Sequence, residues 1–205
     1  TVYDLKTRQD MRLSTVFTGR AIMQIYSEAL QQRNLEVLRS MSTPDFNRRV
    51  WNKTTANSMM LLPMDEVENA APQIENAVYR GAVTHISVLQ GKTPLSFVLR
   101  DVAGKTLVDD VEIPTADKDV TLKMRLELML PVVEFIEGLR QPSLEMLRAN
   151  STKIFSRTVW NHLKTIPQLR VAPLDYLDEP LTHIAQKSSG EAWVVLGTEQ
   201  YGAKI

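Results

Sequence analysis

Apolar residues recur at helical spacing early in the chain. From residue 21 to residue 30 they appear every three or four positions, which predicts a helix with one buried face. A second, shorter helix carries Leu35 and Leu38. A third is predicted to begin at Thr43, because a threonine side chain caps the first free amides and Pro44 suits the first helical position.

Alternating apolar and polar residues then predict strands. The stretches 79–89, 95–99 and 106–113 are rich in β-branched residues, and Ala103 and Gly104 lie in the turn between the last two. Residues 122–128 alternate most clearly and predict a fourth, half-buried antiparallel strand. Residues 11–17 are predicted to add a strand from the N-terminal segment.

The same signature occurs a second time, 109 residues later. Between residues 35–52 and 144–161, 11 of 18 positions are identical, including Phe46 with Phe155 and Trp51 with Trp160. Chance would give about one identity, so the pattern favours an internal duplication. A shared origin explains architecture, and it does not show which positions matter for function.

The second copy is shorter than the first. Pro131 falls near the predicted start of its first helix, and residues 181–186 and 192–196 match the first two strands. The fold class predicted is α+β, with two tandem units of helices packed on an antiparallel sheet, the second sheet being incomplete. The expected bounds are 1–17 for an N-terminal segment, 18–130 for the first unit with four strands, and 131–205 for the second.

Composition narrows the function classes. The 24 basic and 24 acidic residues cancel, so no overall basic field favours nucleic acid. The absence of cysteine excludes disulfides, thiolate metal sites and a thiol nucleophile. No apolar run approaches the roughly 20 residues that span a bilayer. We expect a soluble protein of unknown compartment, and the missing initial methionine fits either a removed targeting peptide or a trimmed chain.

Helices followed by an antiparallel sheet whose concave face wraps the first helix resemble the nuclear transport factor 2-like superfamily. The resemblance is one of element order, over residues 18–130 and in part over 131–205; a cystatin-like arrangement is the near competitor. It implies a cone with an apolar pocket at its wide end. Some members are isomerases, dehydratases or hydrolases and others only bind partners, so fold leaves function open.

The recurring tryptophans and arginines are the first candidate site residues. Trp51 and Trp160 suit either a ligand platform or an aromatic core contact with a satisfied N–H group. Arg48 and Arg157 lie three residues earlier on the same helix face. Such an arginine clamps an anion, pairs with a carboxylate such as the recurring Glu36, or covers the indole ring.

Candidate catalytic residues are fewer. Tyr26, His85 and Asp109 are those that an enzyme built on the first cone would use. His85 recurs as His183. Each of these histidines suits either a general base or a residue on the sheet face that is hydrogen-bonded locally. Further acidic residues are typical of solvated strand ends and are found at Asp110, Glu112, Asp175, Asp178 and Glu179. With His162 the only other histidine, no metal-ligand spacing is present, and we expect no cofactor.

Two functions of different classes follow. The first is a non-catalytic protein-interaction or scaffold module, in which a partner protein binds by edge-strand or helix-face contact. The residues expected to serve it are Arg48, Arg157, Tyr201 and Ile205. The alternative is a small-molecule-binding protein or enzyme that uses the first cone; sequence identifies no ligand for it.

Overall fold

Residues 13–62, 70–114, 119–163, 181–188, 191–197 and 202–204 are described by the structure, which is a computed structural model. The fold is α+β, with helices and two separate antiparallel sheets. The chain divides into two compact units. The first ends at Arg125, and the second begins at Leu126 and also includes residues 60–63.

Helices open the first unit, as predicted. They are α1 (Leu13–Gln31), α2 (Leu35–Met41), α3 (Pro44–Phe46), a π-helix (Asn47–Trp51) and α4 (Ala56–Leu61). The predicted cap at Thr43 is confirmed, because its hydroxyl accepts the Phe46 N–H at 3.3 Å. On α1, the buried face includes Met23, Tyr26 and Leu30, each fully buried.

An open five-stranded sheet follows, in the order β1-β2-β3-β4-β5 with every pair antiparallel. Its strands are β1 (Gln73–Arg80), β2 (Val83–Gln90), β3 (Thr93–Val102), β4 (Lys105–Pro114) and β5 (Asp119–Thr121). Helix α1 packs closely on the sheet through Gly19. A Cβ atom there would lie 2.7 Å from the Ile86 Cδ1 atom, so glycine permits this approach.

The two edges of this sheet differ. Along β4, the turn between α2 and α3 covers part of the edge, since Thr43 N–H donates to the Val108 carbonyl at 2.9 Å and Ser42 bridges the same residue. At the opposite edge, β1 pairs with β2 and with no other strand of the described residues. Within the described ranges, the outward backbone groups of β1 therefore have no strand partner.

The second unit repeats the order of helices and strands. Helix α5 (Leu122–Arg140) crosses the boundary at residue 125, and it is followed by α6 (Leu144–Ala149), α7 (Lys153–Thr158) and a 3₁₀ turn (Trp160–His162). A three-stranded antiparallel sheet consists of β6 (Leu181–Ser188), β7 (Glu191–Gly197) and β8 (Gly202–Lys204). The predicted strands 181–186 and 192–196 are confirmed within β6 and β7.

Two of the strand predictions in the first unit are wrong in their limits or type. Residues 79–89 form no single strand, because Gly81, with φ of 63°, turns the chain between β1 and β2. The predicted N-terminal strand 11–17 is wrong over residues 13–17, which begin α1. Residues 1–12 lie outside the described part of the chain.

The predicted strand at residues 122–128 is also wrong, because this stretch begins α5. Alternation and helical spacing share Leu122 and Leu126, and the adjacent buried pair Met129 and Leu130 fits only the helix. Pro131 consequently lies inside α5 rather than near its start. It removes one backbone hydrogen bond from the helix interior.

Candidate functional site

Trp51 lies at the centre of the first unit's core. Its side chain is fully buried and stacks on Phe46 with the ring centroids 5.2 Å apart. The indole N–H donates to the Ser42 hydroxyl at 2.9 Å and lies 3.3 Å from the Tyr26 hydroxyl. The two hydroxyls are 3.1 Å apart. Of the two interpretations of Trp51, the core contact with a satisfied N–H group is the one observed.

Arg39 ties the end of the π-helix to α2. Its guanidinium donates to the Trp51 carbonyl at 3.0 and 2.9 Å and to the Thr54 carbonyl at 3.1 Å. These are carbonyls that the helix end would otherwise leave unpaired. Arg39 therefore acts as a structural clamp.

Tyr26 belongs to the same buried network. Burial raises the pKa of its hydroxyl well above the usual range, and the hydrogen bonds from Ser42 and Trp51 only partly offset this. The hydroxyl therefore stays protonated across the physiological pH range. Its two described partners are core residues.

Charged residues converge where α5 begins. The Lys123 ammonium lies 3.2 Å from the Asp45 carboxylate and 3.8 Å from Asp109, and it also sits 5.7 Å from the Phe46 ring centroid. Lys123 is only 7% exposed. We name Asp45, Asp109, Asp110 and Lys123 the lysine–carboxylate cluster. It joins α3, β4 and α5, so its ion pairs hold three elements together.

Asp109 and Asp110 both belong to this cluster, but they bond to different groups. Asp109 accepts the Thr43 hydroxyl at 2.8 Å and pairs with Arg100 at 3.1 Å. Asp110 accepts the backbone N–H groups of Val111 at 2.8 Å and Lys123 at 3.0 Å. Asp110 is therefore an acceptor for the first turn of α5, where helix N–H groups lack internal partners.

The pKa values of Asp110 and Asp45 shift in opposite directions, for different reasons. Burial raises the pKa of Asp110 above its usual 3.8, although its hydrogen bonds partly oppose this. By contrast, the hydrogen bond from Arg48 lowers the pKa of Asp45. The folded protein binds a proton at Asp110 more tightly than the unfolded chain does, so ionised Asp110 costs stability above its raised pKa.

Asp110→Asn is therefore expected to be at least as stable as the parent at pH 7. The amide keeps the oxygen that accepts both N–H groups and removes the buried charge. The advantage should shrink as the pH falls towards 4, where the parent carboxyl also becomes neutral. Urea denaturation at several pH values measures this. Asp110→Ala is the control, expected to lose about 1–2 kcal/mol with the helix acceptor; an asparagine variant equally destabilised would contradict the prediction.

His85 lies on β2 with its Nδ1 atom 3.8 Å from the Glu112 carboxylate. Both side chains are about one-third exposed. The strand register explains the approach, because His85 pairs with Val98 and Val98 pairs with Asp110, two residues from Glu112 on the same face. This histidine thus has an acidic neighbour that the sequence did not reveal.

The three predicted catalytic residues are not joined. Tyr26 bonds to core hydroxyl and indole groups, His85 faces Glu112, and Asp109 bonds to Thr43 and pairs with Arg100. Among the described residues, no hydrogen bond or ion pair links any two of the three. Each carries a separate set of local contacts.

The predicted interaction residues fall in different settings. Arg48 pairs with Asp45 at 2.5 Å, rather than with Glu36, and its side chain is 77% exposed. Arg157 is also exposed, on α7. Other predicted residues lie outside the described residues: Tyr201, Ile205, Asp175, Asp178 and Glu179. The side chain of His183 does so as well.

The contacts around Trp51 occur again around Trp160. The Trp160 indole N–H donates to the Ser151 hydroxyl at 2.8 Å, and Arg148 donates to the Trp160 carbonyl at 3.2 Å. The Thr152 hydroxyl accepts the Phe155 N–H at 3.1 Å. Each residue lies 109 positions after its counterpart in the first unit. One difference is that Phe135 occupies the position of Tyr26 and supplies no hydroxyl.

Surface chemistry differs more than core chemistry between the two units. Phe46 is fully buried, whereas Phe155 is 44% exposed. The Phe155 and Trp160 rings meet edge to face, with their centroids 5.2 Å apart. The neighbouring Ile154 is 67% exposed and takes the place of Asp45. An adjacent apolar pair is therefore presented by α7.

Sequence reasoning missed the residues that hold these sites together. The predicted strand at residues 122–128 places Lys123 on a solvent-facing side, and no sequence pattern indicates a role for Asp45. Ser42 and Arg39 recur as Ser151 and Arg148. That recurrence was a usable signal, because hydroxyl and guanidinium groups repeated beside a repeated tryptophan suit partners for its N–H and carbonyl groups.

The described residues form neither a metal site nor a membrane-spanning helix. Within the described ranges, no three His, Asp or Glu side chains come close enough together to hold a metal ion. None of the described helices has the length and apolarity to cross a membrane. No protein family, no curated protein and no solved structure matches this chain.

Proposed function

We propose that this protein is a non-catalytic protein-interaction module that serves as a structural subunit of a larger assembly. The observation that carries the proposal is the edge of the first sheet, where β1 has no strand partner among the described residues on its outer side. Val78 and Tyr79 on this strand are 41% and 40% exposed. Backbone groups on such an edge bind an added strand from a partner.

The contacts of the candidate catalytic residues support the same proposal. The alternative, a small-molecule-binding protein or enzyme of isomerase, dehydratase or hydrolase type, needs at least two of Tyr26, His85 and Asp109 around one cavity. These side chains instead have separate partners in the core, on the sheet face and in the lysine–carboxylate cluster. A nuclear transport factor 2-like architecture for the first unit is part of the proposal, supported by helices that precede an open antiparallel sheet.

We also propose that the two units arose by duplication of one ancestor. The support is the recurrence of geometry as well as sequence: the capping threonine, the arginine clamp and the serine-bonded indole lie at the same offset in both units. Independent origin would have to reproduce each contact separately. Among the described residues the sheets differ in their number of strands, with five in the first unit and three in the second.

A size measurement in native extract tests the interaction proposal. The tagged full chain, expressed in its own cells, should elute well above its mass of 23.2 kDa. The double variant Val78→Lys/Tyr79→Lys should elute at the monomer mass, because lysines on an edge strand oppose strand addition. The control is Ile25→Lys, an exposed apolar position on α1, which should keep the large size.

Two results would count against the proposal. One is a parent chain that already elutes as a monomer in native extract. The other is an Ile25→Lys control that shrinks as much as the edge variant, since this would show a general loss of surface apolarity rather than loss of an edge contact.

A further inference from the structure

The outward side of α7 combines apolar and basic side chains. Ile154 and Phe155 are 67% and 44% exposed, and Lys153 and Arg157 beside them are exposed as well. Ser156 turns the other way and donates to the Arg148 carbonyl at 3.5 Å. On a helical wheel, Arg157 lies between Lys153 and Ile154, and Phe155 lies about 100° beyond Ile154, so the four side chains cover about 200° of the helix with the cations on the Ile154 side. We name Lys153, Ile154, Phe155 and Arg157 the α7 face.

Charge pairing at the equivalent place in the first unit is complete. There, Asp45 pairs with Arg48 and with Lys123. In the second unit, Ile154 replaces that aspartate, so Arg157 lacks the carboxylate three residues before it. No carboxylate of the described residues pairs with Arg157.

The cover over the phenylalanine also differs. In the first unit, Phe46 is fully buried and the Lys123 ammonium lies 5.7 Å from its ring centroid, held by Asp45. Beside Phe155 there is no acid in that position to hold a lysine. An apolar side chain of a partner packs on Ile154 and Phe155 better than a cation would, because neither residue offers a charge to pair with a cation.

We propose that the α7 face binds an acidic amphipathic segment of a partner protein. Apolar side chains of the segment pack on Ile154 and Phe155, and its carboxylates pair with Lys153 and Arg157. The inference rests on the proposed interaction function and names the chemistry of one partner. It uses a surface distinct from β1.

A protein segment fits this face better than a lipid surface or nucleic acid does. Two cations supply only a weak attraction to an anionic membrane. The six residues of α7 offer two large apolar side chains, which is little for insertion into a lipid interface. Nucleic acid binding draws on more phosphate contacts than two cations make.

Fluorescence anisotropy with the full chain tests the proposal. The probe is a labelled, designed helical peptide of about five turns with leucine along one face and glutamate elsewhere. The matched peptide carries lysine for every glutamate. The glutamate peptide is expected to bind, and its affinity should fall as salt is added.

Single variants locate the binding. Ile154→Asp restores the residue of the first unit and gives Arg157 an internal partner, so the affinity should fall at least about tenfold. Arg157→Gln should weaken binding by roughly threefold to tenfold. The control is Arg20→Gln, an exposed arginine on α1, which should bind like the parent. Because Ile154 is exposed, the midpoint of the thermal melt should be unchanged in the Ile154→Asp variant.

Several results would overturn the proposal. They include equal binding of the lysine peptide, and an Ile154→Asp variant that binds as tightly as the parent. A third is cosedimentation with vesicles of about 30% phosphatidylserine that depends on Ile154 while the peptide does not bind, which would make the occupant a lipid surface. A fourth is a doubled mass in solution that depends on Ile154, which would make the occupant a second copy of this chain. The Val78→Lys/Tyr79→Lys variant should still bind the peptide, so failure at β1 and failure at α7 are distinguishable.

Discussion

Trp51→Ala is expected to lower the free energy of unfolding by about 3–5 kcal/mol. The substitution empties a fully buried site and removes the ring that stacks on Phe46. It also removes the indole N–H group that donates to the Ser42 hydroxyl. The surrounding core collapses only partly into such a cavity, because it is anchored by Arg39 on one side and by α1 on the other. Urea denaturation followed by circular dichroism measures the loss.

The milder variant Trp51→Phe serves as the matched control. It keeps most of the apolar volume, and the Tyr26 and Ser42 hydroxyls still bond to each other at 3.1 Å. The loss should therefore stay below about 2 kcal/mol. A Trp51→Ala variant within about 1 kcal/mol of the parent would contradict the central position given to this residue.

Lys123→Glu is expected to be the other large loss, of about 3–5 kcal/mol. The new carboxylate would lie in a nearly buried position beside Asp45 and Asp109, and the backbone N–H at this residue is already held by the Asp110 carboxylate. Like charges at this separation repel strongly where water is excluded. The first turn of α5 should detach, and hydrogen exchange at its amides would report this.

Lys123→Met separates loss of attraction from gain of repulsion. Methionine fills similar space, and the two carboxylates keep other partners: Arg48 pairs with Asp45, and Arg100 pairs with Asp109. The cost should therefore be no more than about 1–2 kcal/mol, since a buried pair replaced by an apolar group is often nearly neutral. If methionine proved as damaging as glutamate, the cluster would depend on the ammonium itself.

Local signals in the sequence were sufficient for the first helices and for the cap at Thr43. Thr43 begins a helix as predicted, and Thr152 begins the corresponding helix of the second unit, because a capping hydroxyl acts within three residues of chain. Helix α5 was misassigned for the opposite reason. Over a few residues, the same apolar positions fit both the two-residue period of a strand and the 3.6-residue period of a helix. Only buried residues further along, such as Val133 and Ile136, distinguish the helix from the strand.

The candidate sites depended on contacts that no local pattern contains. Lys123 meets Asp45 across 78 positions of chain, and Thr43 meets Asp109 across 66. Strand register brings Glu112 to His85, and register follows from how hairpins close rather than from either residue. The duplication signal marks Trp51 and Trp160. The recurrence of Ser42 and Arg39 also marks two of their partners, but which groups bond to which is seen only in three dimensions.

The winding between Phe46 and Trp51 has a practical consequence. The first unit passes between these rings in a π-helix, whereas the second passes between Phe155 and Trp160 through α7 and a 3₁₀ turn. Both ring pairs are 5.2 Å apart, yet one is stacked at 22° and the other is edge-on at 63°. Each unit thus contains its own optical reporter in a distinct environment, and Trp193 adds another to the second unit. Trp51→Phe leaves only the tryptophans of the second unit, and Trp160→Phe/Trp193→Phe leaves only Trp51. Near-ultraviolet spectra of these two variants would therefore follow the melting of the two halves separately.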